Sequence, residues 1–222
     1  MYQRAFAHLR NRPVSQSIYG RAIGAATLPS GLYADAQTAI SAPRGMLMAV
    51  VDVPGDAAAS RRAIERIAQT YESIPPDVDR LIALRATLDQ AKQSLPTRSR
   101  QTNAAIMIAT VMNEHWYGIA EGAVCGYHVL ANGQLKALRL GPTGQSKLAA
   151  KDRILICTQV VTKPLNDYDI ALSLYAHSPE HAVQRLLTFA ERRGQRSGLA
   201  AVACGPRRSL ITTMLSRLSG AG

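Results

Sequence analysis

Aromatic residues are scarce in this chain: they make up 5% of 222 positions, with one tryptophan and two phenylalanines. A surface that binds nucleic acid by stacking bases needs aromatic faces interleaved with cations. Tyr2, Phe6 and Tyr19, near the N-terminal arginines, do not make that alternation. Cysteines number three, Cys125, Cys157 and Cys204, an odd count at wide spacing. That spacing excludes a disulfide framework and the paired ligands of a structural zinc site, and it leaves reduced, mostly buried thiols. No apolar run approaches the ~20 residues of a membrane span. The opening MYQRAFAHLRNR holds three arginines and lacks the apolar stretch of a signal peptide, so a soluble, cytoplasmic protein with no membrane insertion is expected.

Acidic residues are missing from both ends. Residues 1–34 hold Arg4, Arg10, Arg12 and Arg21, and residues 192–222 hold Arg192, Arg193, Arg196, Arg207, Arg208 and Arg217, with no Asp or Glu in either segment. They account for +4 and +6 of the net charge of +11, so the stretch between them is close to neutral. A charge placed this way belongs to arms that touch an acidic partner, not to one basic face of the core. Hydrophobic residues at 47% and charged ones at 18% suffice for a buried core.

Two segments repeat with helical period. In 57–73, Ala59, Ala63, Ile64, Ile67, Ala68 and Tyr71 form an apolar stripe opposite Arg61, Arg62, Glu65, Arg66 and Gln69. In 77–95, Val78, Leu81, Ile82, Leu84, Leu88 and Ala91 do the same, with Pro75 and Pro76 before the segment and Pro96 after it. The pair reads as an αα hairpin. Short apolar runs at 45–53, 103–112, 116–121, 126–130, 134–138, 154–159 and 199–204 read as strands, and Ala131-Asn132-Gly133-Gln134 as a tight type I′ hairpin. Segments 167–176 and 179–193 read as helices, the second with Ser178 as N-cap, Pro179 at its first position and Gly194 as stop. Residues 142–151 read as a loop, and the tail carries a weak amphipathic turn through Leu210, Met214 and Leu218. Strands and helices alternate in blocks, which points to antiparallel sheets covered by helices and away from a doubly wound parallel sheet.

This block order, with six local phrases, resembles the PPM family of metal-dependent Ser/Thr protein phosphatases. Tyr33-Ala34-Asp35-Ala36 stands where that family has Asn-Glu-Asp-Ala. Val50-Val51-Asp52-Val53-Pro54-Gly55-Asp56 is similar to its Asp-Gly-x-Gly-Gly segment, and Gln101-Thr102-Asn103-Ala104 to its Gly-Thr-Thr-Ala. The run from Trp116 to Tyr127 resembles the strand and turn carrying Gly-Asp-Ser-Arg-x-Tyr. The run from Asp152 to Thr162 resembles Asp-x-x-Leu-Leu-Cys-Ser-Asp-Gly-Leu-Thr, and that from Ala190 to Val202 the closing Gly-x-x-Asp-Asn segment. The resemblance implies an α+β, four-layer αββα sandwich, with two antiparallel sheets flanked by helix pairs. The domain spans 18–204, between a basic N-terminal arm at 1–17 and a basic C-terminal tail at 205–222.

The family holds two divalent cations, Mn or Mg, in a cage of carboxylates that turns a bridging water into a nucleophile. Carried over position by position, the resemblance leaves Asp52 as the one direct ligand, with the backbone carbonyl of Val53 in place of a glycine carbonyl and Asp35 beside the ligands. Ala34 replaces a glutamate, Gln159 and Ser197 replace aspartates, with Gly198 beside the latter, and Ser30 replaces the phosphate-gripping arginine. It therefore implies no catalytic residue and at most one weakly held Mn or Mg, at Asp52 and Asp35. The expected function is a regulatory module that binds a protein, either a Ser/Thr kinase or a phosphoprotein, in a kinase–phosphatase signalling or secretion system. Two other readings stay open: an atypical Mn- or Mg-dependent Ser/Thr phosphatase, and a basic scaffold that binds anions or nucleic acid through its arginine-rich arms. Elsewhere, His177 and His181 have metal-ligand spacing beside Glu180 but point to no third ligand, and they read as solvated helix residues. Gly141 to Lys147 lacks the Gly-Lys-Ser or Gly-Lys-Thr of a nucleotide loop, and no Gly-x-Ser-x-Gly elbow occurs.

Overall fold

The run Met46–Val51 is apolar at every position, and a strand needs that pattern when both of its faces are covered. In the computed structural model, which describes residues 14–18, 21–27, 36–42, 45–97, 104–112, 114–138, 144–176, 178–195 and 200–206, this run is the heart of β4 (Gly45–Asp52). Its alternate residues serve different cores. Leu47, Ala49 and Val51 face one hydrophobic cluster, and Met46, Met48 and Val50 face another. The neighbouring β5 (Ala105–Met112) divides in the same way, with Ile106 and Ile108 on one side and Met107, Ala109 and Val111 on the other.

With β3 (Ala36–Ala42), β6 (His115–Glu121) and β9 (Gly144–Lys147), these strands form an antiparallel sheet in the order β3-β4-β5-β6-β9. The second sheet runs β1-β2-β11-β10-β7-β8, from β1 (Val14–Ile18), β2 (Arg21–Thr27), β11 (Ala200–Pro206), β10 (Arg153–Thr158), β7 (Val124–Val129) and β8 (Leu135–Ala137). Met46, Met48, Val50, Met107, Trp116, Ile154 and Ile156 pack between the sheets. Outside the first sheet lie α1 (Ala57–Ser73) and α2 (Arg80–Ser94), which close a cluster around Ile67, Tyr71, Leu84 and Leu88. Outside the second lie α3 (Gln159–Thr162), α4 (Asp167–Ala176) and α5 (Pro179–Arg192), closing a cluster around Leu155, Ile170, Leu174, Leu186 and Leu187. Three apolar layers separate four layers of secondary structure, the αββα sandwich of the expected class.

Asp56 starts α1, its Oδ1 accepting the Ala59 N–H at 2.8 Å. All six residues of the expected α1 stripe are buried. At the end of α5, Gly194 has φ +90°, Gln195 N–H donates to the Ala190 carbonyl at 3.1 Å and Gly194 N–H to the Glu191 carbonyl at 2.9 Å, which is a Schellman stop.

Five details depart from the sequence reading. The helix expected over 77–95 begins three residues later, at Arg80, after Asp79, whose Oδ1 accepts the N–H groups of Leu81 and Ile82 at 2.9 and 3.2 Å. The buried stripe is then Ala83, Leu84, Thr87, Leu88 and Ala91, and Ile82 is 63% exposed. Ser178 sits before α5, but its hydroxyl lies 3.2 Å from His181 Nδ1 and caps no amide. The Asn-Gly hairpin is a three-residue loop, not a type I′ pair. Gly133 N–H closes the turn onto the Leu130 carbonyl at 2.9 Å, and Gly133 takes φ +85° at the bulge position. Residues 144–147, expected within a loop, form the edge strand β9, paired with 115–118 of β6 through backbone that polar side chains do not advertise. Gln159 opens α3 and does not end a strand.

Burial separates two neighbouring residues of α2. Leu84→Ala should lower unfolding free energy by about 2–5 kcal/mol, whereas Ile82→Asp should change it by less than about 0.5 kcal/mol; urea unfolding of both variants measures the contrast.

Candidate functional site

The chain passes between the two sheets only where its backbone permits a sharp step, and one such step lies between β6 and β7. Glu121 ends β6 in the first sheet and Val124 begins β7 in the second, with Gly122 between them at φ +80°. A Cβ at Gly122 would lie 2.6 Å from the Ala104 carbonyl oxygen and 2.8 Å from Ala105 Cα, so glycine is required both for its dihedral and for the close approach. Ala105 is in turn the register partner of Asp52 at the end of β4. On the other side of the step, the Ala123 carbonyl accepts the Gln159 N–H at 3.0 Å. A continuous path of backbone contacts, Asp52 to Ala105 to Gly122 to Ala123 to Gln159, therefore puts the ends of β4 and β10 on one edge of the sandwich.

Among the described residues, charge is sparse on that edge. Asp56 is committed to the α1 cap, and Glu121 Oε2 to an ion pair with Lys92 Nζ at 2.8 Å. Asp52 is half-buried, and its carboxylate has no hydrogen-bond or ion-pair partner among the described residues. Val53 is buried; its N–H donates to Ser60 Oγ at 3.0 Å, and its carbonyl accepts the Asp56 N–H at 2.9 Å, which occupies one of the carbonyl's two lone pairs. Gln159 is exposed. Among the described residues there is no group of three or more His, Cys, Asp or Glu side chains placed to hold a metal ion.

Comparison with solved structures identifies the fold. PppA of Pseudomonas aeruginosa, a key regulatory component of T6SS, superposes with a TM-score of 0.67 at 17% identity over 84% of this chain and 98% of its own. The catalytic domain of the serine/threonine phosphatase PstP, in complex with two manganese ions, gives 0.67 at 17% identity over 83% and 97%. RsbX, in complex with magnesium, gives 0.60 at 12% identity over 88% and 100%. The chain has the PPM phosphatase fold. No protein-family model and no curated protein matches the sequence.

Within the PPM fold, the described residues include Asp52, Val53 and Gln159 of the positions singled out from sequence, and all three stand on the edge just traced. Ser30, Ala34, Asp35 and Ser197 lie outside the described residues, as does His177. His181 is exposed and near Ser178, on α5.

Sequence reasoning passed over a buried polar knot under the same sheet. Asp152 is 4% exposed. Its Oδ1 accepts the Ala131 N–H at 3.0 Å, and its Oδ2 accepts the Ala149 N–H at 2.9 Å and His128 Nε2–H at 2.8 Å. One carboxylate thus ties the β7–β8 loop, the turn before β10 and the interior of β7. The signal was present, since Asp152 opens the Asp-x-x-Leu-Leu-Cys phrase, but its partners are remote in sequence. Burial alone would raise the Asp152 pKa; the Ala149 amide, the His128 ring and the Ala131 amide outweigh it and hold the carboxyl below its ordinary value. Nearby, Cys125 and Cys157 are register partners across β7 and β10, both as free thiols, and burial pushes the Cys157 thiol up. Burial likewise pushes the Tyr127 hydroxyl up to about 12 against an opposing hydrogen bond from Thr162, with Cys125 and Cys157 adding to the rise.

Because the folded Asp152 pKa lies below the unfolded one, the stabilisation it provides is present above the unfolded carboxyl value of about 4 and is lost as pH falls through the folded value. Asp152→Asn should therefore flatten the acid limb of a stability–pH curve. Asp152→Ala, which strands a ring N–H and two amides, should cost about 3 kcal/mol at neutral pH; urea midpoints from pH 2 to pH 7 read both effects.

Proposed function

We propose that this chain is a phosphatase-fold protein that binds a protein partner and does not hydrolyse phosphoserine or phosphothreonine. The observation that carries the reading is Gln159: a neutral, exposed side chain at the start of α3, one residue past β10, on the edge shared with Asp52, where the resemblance calls for a metal-binding aspartate. Two dications about 4 Å apart repel by roughly 17 kcal/mol even at an effective dielectric of about 20. Holding them takes several negative oxygens. With Ala34, Gln159 and Ser197 at three of the four carboxylate positions that the resemblance identifies, Asp52 is left as the one direct ligand. The donor set does not fit a cation pair. The replacements are also mutually consistent, because a knot of carboxylates without metals would be costly to keep in a partly buried cleft.

We infer that the partner is a phosphorylated or Ser/Thr-kinase-linked protein, in a signalling or secretion context. Support comes from the fold's occurrence in PppA, a regulatory component of T6SS, and in a protein of the bacterial stressosome. The two arginine-rich ends suit an acidic partner surface. A second reading, hydrolysis with a single Mn or Mg at Asp52 and Asp35, is favoured by one fact, the absence of any partner for the Asp52 carboxylate among the described residues.

Assay on a small aryl phosphate with added Mn separates the two. The proposal expects no turnover above background in the natural chain, and Mn-dependent turnover when Ala34→Glu, Gln159→Asp and Ser197→Asp rebuild the cage. Mn-dependent activity of the unaltered chain that disappears in Asp52→Ala would establish the second reading instead.

A further inference from the structure

Two of the three cysteines face each other across a strand ladder. Cys125 of β7 and Cys157 of β10 are register partners, and both are free thiols. Two residues further along each strand, the Gln159 N–H donates to the Ala123 carbonyl at 3.0 Å. Hydrogen-bonded pairs alternate along an antiparallel ladder, so the two cysteines are the next such pair, with Cα atoms about 5.5 Å apart. A disulfide spans about 4.4–6.8 Å between Cα atoms, and the pair lies inside that range. Register partners also share a face of the sheet. Cys157 belongs to the cluster under the helices of the second sheet, and Cys125 packs against that cluster.

Cys204 stands outside this arrangement. It pairs with Ile154 on the other side of β10, and its side chain belongs to the core between the two sheets, opposite the face that carries Cys157. The two sulfurs of the pair differ in access. Cys125 is half-buried, whereas Cys157 is fully buried and roofed by α3, whose Thr162 hydrogen-bonds to it. Burial pushes the Cys157 thiol up, so the sulfur that meets a dissolved oxidant is that of Cys125.

We propose that Cys125 and Cys157 form a peroxide-responsive dithiol, which closes to a disulfide and staples β7 to β10 beside the edge that carries Gln159. In the first step the Cys125 sulfur attacks one oxygen of a hydroperoxide. An S–O bond forms, the O–O bond breaks, and water or an alcohol leaves with the Cys125 proton, giving a sulfenic acid. In the second step the Cys157 sulfur attacks that of Cys125. The S–S bond forms, the S–O bond breaks, and the hydroxyl leaves as water with the Cys157 proton. Two thiols are thus oxidised by two electrons and one hydroperoxide is reduced. Cβ atoms of such partners lie about 5.5 Å apart and those of a disulfide about 3.8 Å, so closure draws the strands inward and leaves a bond that small thiols reopen. The proposal rests on strand register and is independent of whether the cleft hydrolyses phosphate.

The test treats the reduced full chain with hydrogen peroxide, alkylates the remaining thiols in denaturant and maps the peptides without reduction. A link between the Cys125 and Cys157 peptides is expected, with Cys204 recovered alkylated. Its yield should not change on tenfold dilution of the protein, and dithiothreitol should remove it. Cys157→Ala should leave Cys125 as a sulfenic acid that dimedone captures, and Cys125→Ala should leave Cys157 as an alkylatable thiol. Recovery of Cys157 as a thiol after peroxide has consumed Cys125 in the unaltered chain would overturn the proposal. Recovery of both cysteines as thiols, or a link between two chains whose yield falls with dilution, would overturn it equally.

Discussion

The two sheets can share a working edge only because the chain steps from one to the other without a long loop, and that step depends on the backbone of Gly122. Its positive φ, and the space that a missing side chain leaves against Ala104 and Ala105, bring the end of β6 onto the start of β5. The next residue, Ala123, supplies the carbonyl that receives Gln159. Any side chain at position 122 would collide with backbone, which cannot move aside as a side chain can. The relative placement of Asp52 and Gln159 is thus set by main-chain contacts, and it would persist whichever side chains occupied the cleft.

Such a scaffold can be kept while its chemistry is exchanged. Packing between the sheets comes from Met46, Met48, Val50, Met107, Ile154 and Ile156, all apolar, so exchanging polar side chains at the edge would remove none of these contacts. The buried charge that does matter for the fold lies elsewhere. Asp152 satisfies two amides and a histidine ring at once, and its low pKa keeps it ionised through the neutral range. Asp152 supports the fold by satisfying buried donors, whereas Asp52, on the edge, has no hydrogen-bond or ion-pair partner among the described residues.

Much of this was legible in the sequence. The α1 stripe, the apolar runs of β4 and β5 and Gly194 as the stop of α5 follow from periodicity and local chemistry, which act within a few residues, while the αββα class is what the family resemblance implies. What was not legible depends on pairing at a distance. The strands Val14–Ile18, Arg21–Thr27 and Ala36–Ala42 are built largely from Ala, Gly, Ser, Thr and Gln and carry little apolar alternation, so only their ladders reveal them. The polar edge strand Gly144–Lys147 escaped for the same reason. On α2, Leu81, Ile82 and Leu84 are all apolar, and the sequence offers no means of choosing the phase; packing against the first sheet chooses Leu84 and leaves Ile82 in solvent. The order of short phrases put forward Asp52, Val53 and Gln159, which the backbone brings to one edge, while the structural roles of Gly122 and Asp152 required coordinates.

The number of dications the cleft can hold separates a binding module from a hydrolase, and counting them is the most direct measurement. Titration calorimetry with Mn, followed by anomalous diffraction from crystals soaked in Mn, should find at most one ion, weakly held beside Asp52. Two ions about 4 Å apart, with Gln159 and Ser197 among their contacts, would contradict the account.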